Sequence, residues 1–584
     1  MKIKSLRFNE GPQVNLTSLT ILIGPNNTGK SLALREIQRA VRGSSGAIIT
    51  RVTLEPRDFD GMLEDLGARA RGSNLVIKQH GLEKQLPARE NFKAIFDMYG
   101  YENVMRSQGY VDGSMQYLGT AERFALTAGQ NVPNLETNSQ LLPVQRLLKD
   151  LDAAARLSEL MSELFGVALL VDNSAFATIK LRVAESPPEI ANLDADDLRA
   201  VLGQFPLLEE QGDGMRSLAG VALSVLLEQR SVLLIDEPDA FLHPEQARAL
   251  GRWLSTNIKE SGNQIVLATH NEDLLYGLLA SRPPITVLRL TRPSSSNTAV
   301  SVLEPKVLEE IAVSPLLSGQ AVLHALFQTG VVVVEAPADR SVYESVASRF
   351  GPVSVVFVHA QGKHTLNDIA RLMMNAAVPV AVIADLDLLR VAEDFTSLAE
   401  LFLPDDVDKL EAQRRMIFDF SRTDDLGDIA DSALQDIRNW VIGIDVEVGV
   451  KQHGPRWLGN RLLEIIGGRT RWDKLKKNGI EGLEVESQPL ALELLNRCAN
   501  AGLFVVPVGE LERWFGVPKG RRGTSRMLEK IHKGETPQNL SDFVDSVVAD
   551  LERKSRIPPV MVKYEDPPPE PPIMPAVGGL GGEL

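Results

Sequence analysis

Three groups of residues in this chain have the types and spacing of chemistry. The first is Gly24-Pro-Asn-Asn-Thr-Gly-Lys-Ser31, which fits G-x-x-x-x-G-K-[ST]. Its glycines, Gly24 and Gly29, let the backbone turn tightly enough for the N–H groups around Asn26, Asn27 and Thr28 to face phosphate oxygens. A helix starting at Ser31 adds the positive end of its dipole. Lys30 would reach the β and γ phosphates of ATP, and the Ser31 hydroxyl would complete a Mg2+ shell. The second group is Ser231-Val-Leu-Leu-Ile-Asp-Glu-Pro238, an apolar strand ending in adjacent acids. Asp236 stands where a contact to Mg2+ is expected, and Glu237 where a base could orient the attacking water. The third group is split between Val331-Val-Val-Val-Glu335 and Val380-Ala-Val-Ile-Ala-Asp385-Leu-Asp387. Ends of adjacent parallel strands open on one crevice, so these carboxylates can converge. Converging acids repel unless a divalent cation binds them, and hard oxygen ligands suit Mg2+ or Mn2+. Asp339, in Glu335-Ala-Pro-Ala-Asp339, is a further candidate ligand. A solvated loop or the N-terminal acid pair of a helix would explain each run taken singly.

These residues need strands and helices to hold them, and the apolar pattern supplies both. Runs at Leu19 to Ile23, Val232 to Ile235, Ile265 to Ala268 and Ile285 to Leu290 predict buried strands of one sheet. A second series runs through Val331 to Val334, Val353 to Val358, Val380 to Ile383 and Leu503 to Val506. Helical-period stretches lie between them, which is the pattern of α/β layers. A polar stretch, Thr291-Arg-Pro-Ser-Ser-Ser-Asn297, and a helical connector separate the two series, so the domain boundary is expected near 320 to 330.

The expected organisation is a first domain over 1–325 and a second over 326–556, followed by a Pro/Gly-rich disordered tail over 557–584. Residues 50–205 carry no catalytic motif and read as an insertion for dimerisation or substrate contact. Residues 400–500, amphipathic and charged, read as a helical insertion. The tail from Ile557 holds eight of the 33 prolines.

With 584 residues the chain is long enough for two to four domains. Lys plus Arg is 62 and Asp plus Glu 77, a formal charge of −15; 44% of residues are hydrophobic and 24% charged, a globular composition. The acidic balance excludes a surface coated in phosphate-binding charge but not a local basic groove. The one cysteine, Cys498, excludes an intrachain disulfide framework and a Cys-rich zinc site. No signal peptide or apolar run of bilayer length is visible, so the expected location is cytoplasmic, away from membranes.

Asp236 to Pro244, with Leu267-Ala-Thr-His-Asn271, resembles the ABC-type ATPase heads of the SMC/RecF/OLD group. The resemblance implies a switch histidine on γ-phosphate, which maps to His270. It also implies a signature loop that touches ATP bound to the other subunit, hence a homodimer or higher even oligomer. Gln211-Gly-Asp-Gly-Met-Arg-Ser217 is the candidate loop, with Gly214 and Ser217 as its contacts, although it departs from the usual Ser-Gly-Gly. Arg123 resembles a conformational arginine of such heads, and no Q-loop glutamine can be placed.

The third group resembles a Toprim domain, a Rossmann-like module, whose glutamate maps to Glu335 and whose Asp-x-Asp maps to Asp385 and Asp387. Ala336 stands where that family usually has glycine; Gln361-Gly-Lys363 resembles its second loop. Leu503-Phe-Val-Val-Pro-Val-Gly-Glu-Leu-Glu512 resembles a strand and turn of OLD (overcoming lysogenization defect) nucleases. There Glu512 would be a further metal ligand, while Glu510, if helical, would point elsewhere. Lys519, in a locally basic run, would stabilise developing charge on the scissile phosphate.

An ABC head followed by Toprim in one chain resembles the OLD family, which includes the nuclease subunit of the Gabija antiphage system. The resemblance implies an α/β protein: an ABC-type ATPase domain with an insertion, then a Toprim domain with a helical insertion. The implied activity is an ATP-regulated, metal-dependent DNA endonuclease or nickase in antiphage defence. A helicase or small partner protein encoded nearby would fit that role. Two rivals stand beside it: a Toprim effector that cuts tRNA, and an SMC-like ATPase scaffold with a silent Toprim.

Overall fold

The computed structural model describes residues 1–557 apart from residues 10, 67–68, 72–73, 80–81, 108–109, 133–141, 176, 190–192, 228–230, 281–283, 295–296, 314–319, 351–354, 361, 419–433 and 443–470. The expected tail beyond 557, Gln361, and residues 419–433 and 443–470 of the expected helical insertion therefore lie outside the described residues.

Two separate sheets carry the chemistry. The first joins β1 (Leu19–Ile23), β2 (Met115–Leu118), β3 (Val232–Asp236), β4 (Gln264–Ala268), β5 (Ile285–Thr291) and β6 (Ala299–Leu303) in the order β6-β5-β1-β4-β3-β2. All neighbours are parallel except β5 and β6. The second joins β7 (Gly330–Val334), β8 (Val355–His359), β9 (Val380–Ala384) and β10 (Leu503–Val505) in the order β8-β7-β9-β10, all parallel.

Why these runs are uniformly apolar follows from their two covered faces. In the first sheet Leu19, Ile21, Leu233, Ile235, Ile265 and Leu267 enter one core, whereas Leu22, Leu234, Val266 and Ala268 enter another. Side chains alternate along a strand, so a strand buried on both sides must be apolar at every position. The second sheet repeats the rule, with Val331 and Val333 on one face and Val332 and Val334 on the other. One core is continuous from the first sheet through Val322–Phe327 to the second.

The expected strands of both series are present over their described residues, the Val353 to Val358 run as Val355–His359, but the reading of 50–205 as an insertion needs correction. Met115–Leu118 pairs with Val232–Ile235 as the edge of the first sheet, so part of this stretch belongs to that sheet itself. Local pattern could not reveal it, because β2 is short and its partner lies more than a hundred residues away.

Candidate functional sites

Parallel strands bring their carboxyl ends to one edge of the first sheet. Register aligns Asp236 with Ala268, and Ala268 with Leu22. The loops that follow β1, β3 and β4 therefore emerge side by side, carrying Gly24 to Ser31, Asp236 to Glu237, and His270. Gly24 adopts φ +133, and a Cβ there would run into the Leu290 carbonyl of the neighbouring strand. Asn26 and Asn27 are exposed, Thr28 is buried, and Gly29 in the left-handed region caps helix α1 (Lys30–Val41).

Lys30 Nζ donates to the carbonyls of Gly24 at 2.7 Å and Pro25 at 2.9 Å. Burial lowers its pKa to about 8, with Glu237 and Asp236 opposing the shift. Ser31 Oγ donates to Asp236 Oδ1 at 2.9 Å, and Tyr117 donates its hydroxyl to Asp236 Oδ2 at 2.9 Å. The hydroxyl and carboxylate in contact offer hard oxygens that fit Mg2+, and the buried ammonium beside them fits phosphate. A cleft of about 480 Å³, lined by Arg35, Arg39, Tyr117, Glu122 and Asp236 among others, opens beside them.

Glu237, held at φ +48, turns its carboxylate to His270, with Oε1 3.0 Å from Nδ1; both side chains are about half exposed. Behind them Asp239 accepts from Thr269 Oγ1 at 2.8 Å, and burial pushes the Asp239 carboxyl upward. Arg123 is fully buried. It donates to the carbonyls of Leu118, Asp236 and Glu237, to Thr120 Oγ1, and to Ser217 Oγ at 2.9 Å. Arg123 thereby fixes the backbone of the two strand-end acids.

That contact corrects the expectation for Ser217. It is fully buried in helix α2 (Asp213–Leu227) with its hydroxyl on Arg123, so it faces inward rather than toward another subunit's nucleotide. Gly214 lies part-buried in the first turn of the same helix, close against the Phe241 carbonyl.

The second sheet makes the acid site. Register places the ends of β7 and β9 together, with Val334 opposite Ile383. Oxygens of Glu335, Asp385 and Asp387 lie within 4.8 Å of one another. Burial, then Asp339, Glu335 and Asp387, pushes the Asp385 carboxyl well above its ordinary range. Asp339, which accepts from the Ala336 N–H at 3.1 Å, is raised to about 6 by burial, Glu335 and Glu512. Acids that destabilise each other's charge in this way fit a divalent cation. Glu512 is buried near the group but outside the close trio.

Glu510 departs from expectation. Its backbone is extended (φ −133, ψ 158) and the helical turn begins only at Leu511. Its carboxylate therefore turns to the site, 3.2 Å from Lys519 Nζ and 3.7 Å from Lys476 Nζ. Lys519 thus pairs with Glu510. Lys476 also sits 3.0 Å from Asp387. Nothing in its local sequence marked it, and the same holds for Tyr117.

Residues 183–275, which contain Asp236 and His270, match a family model described as "AAA domain, putative AbiEii toxin, Type IV TA system". The chain contains an AAA-type ATPase domain. "Uncharacterized protein MJECL11" of Methanocaldococcus jannaschii is 32% identical over 68 residues, which is 12% of this chain. The chain spans 60% of that relative's length. Among solved structures, the SMC head bound to the C-winged helix domain of ScpA has a TM-score of 0.32 at 12% identity, covering 52% of this chain and 98% of that one. The SMC head domain from Thermotoga maritima has a TM-score of 0.26 at 15% identity, covering 52% of this chain and all of its own. Likeness at that level carries no weight for what this chain binds or does. Among the described residues no helix is long and apolar enough to cross a membrane.

Proposed function

We propose that this chain is an ATP-regulated, metal-dependent DNA endonuclease or nickase of the OLD type, acting in antiphage defence. The observation that carries the reading is the meeting of Glu335, Asp385 and Asp387 at the ends of two adjacent parallel strands. A site of part-buried, mutually repelling acids is costly to fold, and a cation that substrate phosphate also binds relieves that cost. In this reading the second sheet is the core of a Toprim domain, with Asp339 and Glu512 supporting the trio. Bound Mg2+ or Mn2+ would polarise the phosphate and lower the pKa of water.

The protein's own residues supply the rest. Hydrolysis joins a water oxygen to phosphorus and breaks the bond to the 3′ oxygen, which departs with a proton. Lys519, two-thirds exposed and 3.2 Å from Glu510, would meet phosphate charge, and the exposed Arg521 and Arg522 follow it in the chain. At the first sheet, Lys30 and the loop around it take ATP, Ser31 and Asp236 take its Mg2+, and His270 with Glu237 face the γ-phosphate. Pairing of two copies completes the nucleotide site.

Incubation of the pure protein with supercoiled plasmid, with total tRNA, and with Mg2+ or Mn2+ tests the reading. Nicked plasmid is expected, lost in Asp385→Asn while ATP hydrolysis persists. Intact plasmid beside cut tRNA would reject DNA as the target. Cleavage that survives Asp385→Asn would reject the site.

A further inference from the structure

The acid site contains an ammonium delivered by a distant helix. Lys476 belongs to α3 (Arg471–Asn478), and its Nζ sits 3.0 Å from Asp387 Oδ2 and 3.7 Å from Glu510 Oε1. Its side chain is 34% exposed, against 15% for Asp387 and 12% for Glu510, so the ammonium closes over two sheltered carboxylates.

Backbone contacts hold it there. Gly509, next to Glu510, adopts φ +102, and a Cβ at that point would meet the carbonyl oxygens of Lys476 at 2.6 Å and Leu475 at 2.8 Å. Only a residue without a side chain permits this approach. Arg513 Nε donates to the Lys476 carbonyl at 3.3 Å, and Ile480 N donates to the Pro507 carbonyl at 2.9 Å. Leu475 is buried. Helix α3 is thus stapled to the turn that carries Glu510, with Lys476 aimed at the acids.

A divalent ion shared by Asp387 and Glu510 would need the space that this ammonium fills, since Mg2+ and Mn2+ hold carboxylate oxygens at about 2.1 Å. We propose that Lys476 is a resident cation of the acid site: it fills the cation place between Asp387 and Glu510 and leaves a single divalent-ion place among Glu335, Asp385 and Asp387. The ammonium then supplies the positive charge that a second metal would otherwise bring to the phosphate. This rests on the metal-dependent reading of the trio and sets its stoichiometry.

Low-temperature EPR of the full chain with Mn2+ alone, without nucleotide, tests it. The signal is counted as the part removed by Asp385→Asn. The wild type is expected to bind one magnetically isolated ion there. Lys476→Met should admit a second ion and give a spin-coupled pair, and Lys476→Arg should keep the single ion. A coupled pair in the wild type overturns the proposal while leaving the nuclease reading intact, and this result needs no variant to fold. A single ion in Lys476→Met, in a chain that still binds ATP, also overturns it. The absence of any Asp385-dependent ion overturns both readings together.

Discussion

Glu272 Oε2 lies 2.7 Å from His324 Nδ1. Glu272 begins the helix Glu272–Ala280, two residues beyond His270 at the nucleotide edge. His324 lies in the helix Gln320–Ala325, just before β7 and Glu335. Fully buried Arg289 of β5 donates to the carbonyls of Leu326, Gln328 and Ala377, the last leading into β9. Burial alone lowers its pKa to about 10. The segment feeding both acid-bearing strands is therefore tied to the sheet that carries the phosphate loop.

The pair predicts a pH dependence. Glu272 raises the His324 pKa above its ordinary value, against partial burial and Arg340, with Glu344 and the Gln328 amide also facing the ring. A raised folded-state pKa contributes stability that is complete below the unfolded value, about 6.5, and vanishes as pH rises through the folded value. Glu272→Gln should therefore cost more unfolding free energy at about pH 6 than at about pH 9, by under about 1 kcal/mol because solvent screens the pair. An equal loss at both pH values, by calorimetry, would remove the charge from this account.

Arg123 should matter far beyond its size. Arg123→Met strips donors from the carbonyls of Asp236 and Glu237 and from Ser217 inside the core. Removing one side of such a buried network costs about 3 kcal/mol. A lower melting temperature together with a fall in ATP hydrolysis of at least about tenfold is expected. Wild-type hydrolysis in the folded variant would show that the arginine orients nothing.

Lys30 separates stability from binding. Its ammonium is buried at a cost, so Lys30→Met should leave the nucleotide-free melting temperature unchanged or higher. Losing charge-assisted bonds to phosphate should weaken ATP binding by about 10- to 100-fold. Isothermal titration checks the second point; affinity equal to wild type would place ATP elsewhere.

Gly509→Ala should displace helix α3 by forcing a Cβ against the Lys476 and Leu475 carbonyls at an unfavourable φ. The cost is about 2–4 kcal/mol. The same Mn2+ spectrum expected of Lys476→Met should appear, and a spectrum identical to wild type would show that the glycine does not position the lysine.

What the amino-acid order determined by itself was local. A run apolar at every position, stopped by acids or by a glycine-rich turn, specifies a buried strand and what stands at its end; these signals span a few residues, and they marked Lys30, Asp236, Glu335 and Asp385. Which strands become neighbours, and so which ends meet, is decided by packing between segments hundreds of residues apart. Only the tertiary structure put Tyr117 on Asp236, turned Ser217 inward onto Arg123, and swung Glu510 and Lys476 to the acids. The physical reason is that a side chain's partners depend on sheet order and backbone approach, and short-range propensity encodes neither.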